Sequence, residues 1–166
     1  MVLAYSRMKF VYFSTEPFDA KQAIIAHRYA FKYFGGRPQM IMYDQDRCFV
    51  VNENLGEVIF VKEFEEYIKE TGYSVYLCHG YDPQTKGKVE KTVDLVKREF
   101  LDGKVYCGID VLNAQALYWL DHDGNGLVNT YIKKTPREMF KNEHQKLIKV
   151  HDKPDNDVVV VTPYYG

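Results

Sequence analysis

Apolar residues recur along this chain at two spacings, and the alternation between them divides it into elements. VLAYSRMKFVYF, residues 2–13, is rich in Val, Tyr and Phe and reads as strand, with Ser6-Arg7 as a hairpin turn. Ala20, Ile24, His27, Phe31 and Phe34 then follow the i, i+4, i+7, i+11, i+14 pattern of one helical face. TEPFD (15–19) supplies the start of that helix and Gly35-Gly36, ahead of Pro38, its stop. QMIMYD (39–44) is a short apolar run closing on an acid, which predicts a buried strand ending at Asp44. DRCFVVNENLGEVIF (46–60) mixes strand-formers with turn residues and reads as a loop or small hairpin. VKEFEEYIKETG predicts a helix with Phe64, Tyr67 and Ile68 inward and Gly72 as its end, and YSVYLCH a further strand.

The next stretch, GYDPQTKGKVEKTVDLVKREF (80–100), opens on turn residues and passes into a helix with Val89, Val93, Val96 and Phe100 as its buried stripe. That reading puts Glu90 in the first turn, about 100° from Val89 at the edge of the buried face. A helix from about Asp110 to Asp121 buries Leu112, Ala116 and Trp119 or Leu120. Another is opened by Thr135 with Pro136 at its first position, and DVVVVTPYY (157–165) is strand-like. Strands alternating with helices predict an α/β fold, a sheet with helices on its faces.

Composition narrows the class without naming it. The 166 residues suit one domain, and 46% hydrophobic with 27% charged residues is ordinary for a folded chain. No apolar run is long enough to span a bilayer and no signal peptide opens the chain, which points to the cytoplasm. Cys48, Cys78 and Cys107 stand far apart without a CxxC pair, which argues against a zinc site or disulfide scaffold and for buried thiols in a reducing compartment. A net charge of -1 gives no global signal for nucleic acid. The charge is uneven, however: Lys86 to Arg98 carries five bases against Glu90 and Asp94.

Two carboxylates stand out. Asp44 ends a strand, and Glu90 begins a helix after the following strand. Brought together they repel unless a cation lies between them, and hard divalent ions such as Mg2+ take oxygen ligands. The bland alternative is that each caps a turn. Asp46 is a weaker candidate for a second ligand. DHDGNG (121–126) matches the opening of a calcium loop, but its twelfth position is Ile132 where a bidentate Glu is required, so it reads as a helix-terminating turn. Cys78-His79 lacks the setting of a nucleophile, since Cys78 lies in an apolar strand run.

YDPQTKGKVEKTVDLVKREFL resembles the signature of the retroviral-integrase-type catalytic core in IstA-like bacterial insertion-sequence transposases, and YFGGRPQMIMYDQD resembles the segment leading to the second aspartate of their Asp-Asp-Glu triad. LNAQALYWLD and KKTPREMF are similar to segments that follow the core. The resemblance implies a ribonuclease H-like mixed sheet flanked by helices and a Mg2+- or Mn2+-dependent enzyme of DNA cleavage and strand transfer. Asp44 and Glu90 fall on catalytic and metal-binding positions, and Gln84, Lys86, Lys88, Lys91, Lys97 and Arg98 on a DNA-binding surface. Its partners would be transposon-end and target DNA, an ATPase helper and a second copy of the chain.

The family's first aspartate has no counterpart here, because no acid precedes Glu16. The expectation is therefore a core over 1–125 without its first strand, a C-terminal extension over 126–166, and little activity alone. A gap left in the sheet would be filled by DVVVVTPYY or by a second chain. Two other readings remain: a non-catalytic DNA-binding or assembly remnant of a transposable element, and a ribonuclease H-like nuclease acting on RNA hybrids or junctions.

Overall fold

The computed structural model describes residues 1–44, 50–54, 57–78, 83–130 and 132–151, with side chains except at Asp44, 50–59, Cys78 and 83–86. Asp46, Cys48, His79 and the strand-like run 157–165 lie outside the described residues.

The chain opens as a tight hairpin. Met1 and Phe10 exchange backbone bonds, Leu3 N–H donates to the Met8 carbonyl, and Val2 bridges Lys9 antiparallel. Arg7, at φ 63, takes the left-handed turn. Helix α1 (Ala20–Phe34) follows, capped by the Asp19 carboxylate on Gln22 N–H and stopped by Gly35 at φ 75. The predicted face is buried, joined by Ala23 and Ala30.

Strand β1 (Met40–Asp44) leads through the antiparallel pair β2 (Val50–Asn54) and β3 (Glu57–Phe60) to helix α2 (Lys62–Thr71) and strand β4 (Ser74–Cys78). β4 returns parallel to β1 in register from Met40↔Ser74 to Asp44↔Cys78, the α/β crossover that the order of elements predicts. Helix α3 (Pro83–Leu95) continues into a π-helical extension, Val96–Leu101, and α4 (Ile109–Trp119) into another, Leu120–Gly124. In each the bonding shifts to i→i+5, as in Asp102 N–H to the Lys97 carbonyl and Asn125 N–H to that of Leu120. Phe100 and Trp119, one from each extended helix, lie with ring centroids 5.5 Å apart. Helix α5 (Pro136–His144) starts on a Thr135–Glu138 capping box. Among the described residues no helix is long and apolar enough to cross a membrane.

Two apolar clusters hold these elements together, and α1 serves both. Ala30 and Phe34 join Leu3, Phe10, Val96, Phe100 and Trp119, while Ala20, Ala23, Ile24 and Phe31 pack with β1, α2 and Tyr73.

Three expectations need correction. Val96 and Phe100 are buried, but Val89 and Val93 are 49% and 45% exposed, because a groove of about 310 Å3 separates α3 from Met1, Val2 and residues 10–13 of the hairpin. α3 begins at Pro83, so Glu90 is its eighth residue rather than part of its first turn; proline suits the first position of a helix, which lets this one start ahead of the Thr-Lys-Gly stretch. Cys107 is exposed, on the loop between the two extended helices.

Candidate active site and its supports

The parallel pairing of β1 and β4 fixes where the candidate acids enter the fold. Asp44 closes β1 opposite Cys78, the last residue of β4, and from that same sheet end the chain passes through 79–82 into α3. Strand carboxyl ends are where α/β sheets place ligands. Glu90 lies about two turns into α3 and is exposed. Among the described residues no group of three or more His, Cys, Asp or Glu gathers to hold a metal.

The predicted DNA-binding residues spread around α3 rather than along one stripe. Lys86 stands one turn before Glu90, and Gln84 lies in the first turn. Lys88 is half-buried and about 160° round the helix from Glu90, with its carbonyl accepting from Thr92 Oγ1 at 2.9 Å. Lys91 is exposed, and Lys97 lines the groove beside Val93. Arg98 is exposed and pairs through Nε with Glu99 at 2.9 Å, an interaction of small energy in water.

Behind β1 lies a polar chain that hydrophobic patterning does not reveal. His27, on α1, donates from Nδ1 to the Ala23 carbonyl at 2.6 Å, which leaves Nε2 to accept from the Tyr43 hydroxyl at 2.7 Å. With that proton committed, Tyr73 is the donor to Tyr43 across 2.9 Å. Burial lowers His27 to about 4 and keeps the imidazole neutral. Burial also raises the Tyr43 hydroxyl, with Tyr73 adding to the shift, and pushes Tyr73 up to about 12. The signal available in the sequence was a histidine on the apolar face of α1, next to no charged residue of that face.

A second polar lock joins α4 to the hairpin. Asn125, fully buried, accepts from Lys9 N–H at 2.8 Å and donates to the Lys9 carbonyl at 2.9 Å, as a neighbouring strand would. Asn113 does the same for Phe13, at 2.9 and 2.8 Å. Lys9 Nζ donates to the Gly124 carbonyl at 2.7 Å, and burial lowers its pKa to about 8. The DHDGNG run is thus a helix end, as predicted, and its Asn125 docks on the backbone of the hairpin.

No protein-family model matches the chain. The transposase for insertion sequence element IS21-like of Bacteroides fragilis is 43% identical over 166 residues, all of this chain and 29% of that protein. The chain is related to the IS21-like transposases. The putative transposase for insertion sequence element IS5376 of Geobacillus stearothermophilus is 31% identical over 90% of this chain and 37% of its own length. The transposase for insertion sequence element IS21 of Pseudomonas aeruginosa is 27% identical over 93% of this chain and 39% of its own. The 166 residues therefore span well under half of each of these transposases. A chain of the cryo-EM structure of the simian T-cell lymphotropic virus intasome in complex with PP2A regulatory subunit B56 gamma matches with a TM-score of 0.64 at 20% identity. That match covers 93% of this chain and 51% of the other, and the ribonuclease H-like fold expected from the sequence is the fold they share.

Proposed function

We propose that this chain is part of the catalytic core of a DNA transposase, acting in the cytoplasm, in which Asp44 and Glu90 supply two carboxylates to Mg2+ or Mn2+. The observation that carries the reading is the in-register parallel pair β1/β4, which brings the end of Asp44's strand to the sheet end from which the chain enters Glu90's helix. The likeness to transposases along the whole chain supports it. The donor set fits a hard cation: both groups are carboxylates, and Glu90 is open to solvent. Among the described side chains the softer donors His27 and Cys107 stand away from this strand end, one buried behind β1 and the other on an exposed loop, while Cys78 is the register partner of Asp44. When bound, such ions would activate a water or a 3'-hydroxyl and offset charge on the leaving oxygen.

Lys91, Lys97 and Arg98, with Gln84, Lys86 and Lys88, are proposed to contact phosphates of transposon-end and target DNA, giving affinity that falls with salt. An ATPase helper and a second copy of the chain are the proposed protein partners. No acid precedes Glu16, so a third carboxylate has no match there, and the 166 residues alone are expected to give little or no strand transfer.

Two assays test the reading. Pre-cleaved transposon-end DNA with Mg2+ or Mn2+ should yield almost no strand-transfer product with this chain; robust product would overturn the need for a third carboxylate. In salt titrations of duplex binding, charge reversal at Lys88 and Lys91 should weaken binding to all sequences alike and flatten the salt dependence by about one slope unit per lost contact. An unchanged slope would remove these lysines from the DNA surface.

A further inference from the structure

Tyr43 directly precedes Asp44, and its hydroxyl sits inside a hydrogen-bonded chain that strand pairing does not require. The chain ties three elements at one point: α1 through His27, the end of β1 through Tyr43, and the residue entering β4 through Tyr73. All three side chains are buried, and they are ringed by Phe31, Phe64 and Tyr67 at centroid distances of 5.8 to 6.3 Å. A phenylalanine at 43 would fill the same volume. Buried hydroxyls and an imidazole contribute little net stability even when fully bonded, since each bond replaces one to water. They do add direction. Ring packing alone tolerates rotation and sliding, whereas a 2.7 Å bond to a nitrogen itself pinned to a helix carbonyl at 2.6 Å does not.

We infer that the His27–Tyr43 hydrogen bond is a positioning device for Asp44, holding the end of the β1 backbone against α1 so that the carboxylate meets its cation in one place. The inference rests on the proposed reading of Asp44 as a metal ligand. His27 and Tyr43 touch no metal themselves. They act through the backbone of the neighbouring residue, as the outer partners of metal ligands do. Gln at 27 keeps an acceptor near the place of Nε2, while Phe keeps the ring and loses the acceptor.

The test is Mn2+ binding to the 166-residue chain, followed by electron paramagnetic resonance, with melting temperatures measured in parallel. Tyr43→Phe and His27→Phe should each weaken Mn2+ binding about ten-fold. His27→Gln should restore it to within about two-fold of the parent. Ile24→Val, which loosens the same cluster without touching the hydrogen bonds, should bind as the parent does whatever its melting temperature. Asp44→Asn separates the two claims. If Asp44→Asn loses Mn2+ while Tyr43→Phe and His27→Phe bind normally, or if Ile24→Val loses as much as they do, the positioning role is overturned and the metal reading stands. If Asp44→Asn binds Mn2+ unchanged, the metal reading falls and the positioning role with it.

Discussion

Asn125 shows how much one side chain does here. It pairs both backbone groups of Lys9, 116 residues away, so Asn125→Ala leaves a buried N–H and a buried C=O without that partner. The expected loss is about 3 kcal/mol in chemical denaturation, against well under 1 for a surface Asn. His27 sets a pH dependence. Its folded pKa of about 4 lies below the ordinary 6.5, so the unfolded chain takes up the proton first. Stability therefore carries no protonation penalty from His27 above about pH 6.5 and falls as pH drops through about 4, by a total of about 3 kcal/mol. Denaturation midpoints measured from pH 7 to 4 should fall, and His27→Gln should flatten that slope. At this scale the place of Asp44, closing an apolar run at the end of β1, was legible in the sequence, whereas Glu90 was read too early in its helix; their role as metal ligands is the proposal. Asn125, Tyr43 and His27 were not legible in their roles, because their partners are remote backbone or other aromatic side chains. Cys107 was misplaced because residue type says how a thiol prefers to be housed, and not that its loop stands outside the core.

Helix ends were the clearest elements, since their signals are local. The Asp19 cap, the glycines at 35 and 72, and the Thr135–Pro136 start all lie where residue chemistry put them. Helix α3 was only half readable: periodicity tells which face is apolar, and Val89 and Val93 are on that face but border a groove. The π-helical extensions leave no sequence signal of comparable strength. Gly87 marks where element stability and the proposed function diverge. It lies inside α3 with nothing within 4 Å of where a Cβ would stand, so Gly87→Ala should raise stability by about 1 kcal/mol in a melting experiment. Gly36→Ala should do the opposite, since its Cβ would come within 2.9 Å of the Ile148 carbonyl, and Arg37 and Ile148 are joined there by two backbone bonds. If Gly87→Ala also weakens duplex binding, close approach of DNA explains a glycine that the fold does not need.

For the molecule as a whole, the order of elements was enough to give an α/β arrangement with a parallel crossover, because short connections leave few alternatives. The division of the core into two clusters sharing α1 was not readable, since it depends on how one helix is sandwiched. Phe34, fully buried in the first cluster on that shared helix, should therefore be costly to truncate: Phe34→Ala is expected to lose about 4 kcal/mol in denaturant titration. The central claim is that β1 and α3 deliver Asp44 and Glu90 to one cation. Anomalous scattering from crystals of this chain soaked in Mn2+ addresses it most directly. The expected result is a peak bound by both carboxylates; a well-ordered Asp44 and Glu90 with no peak between them, and Mn2+ bound elsewhere, would contradict the account.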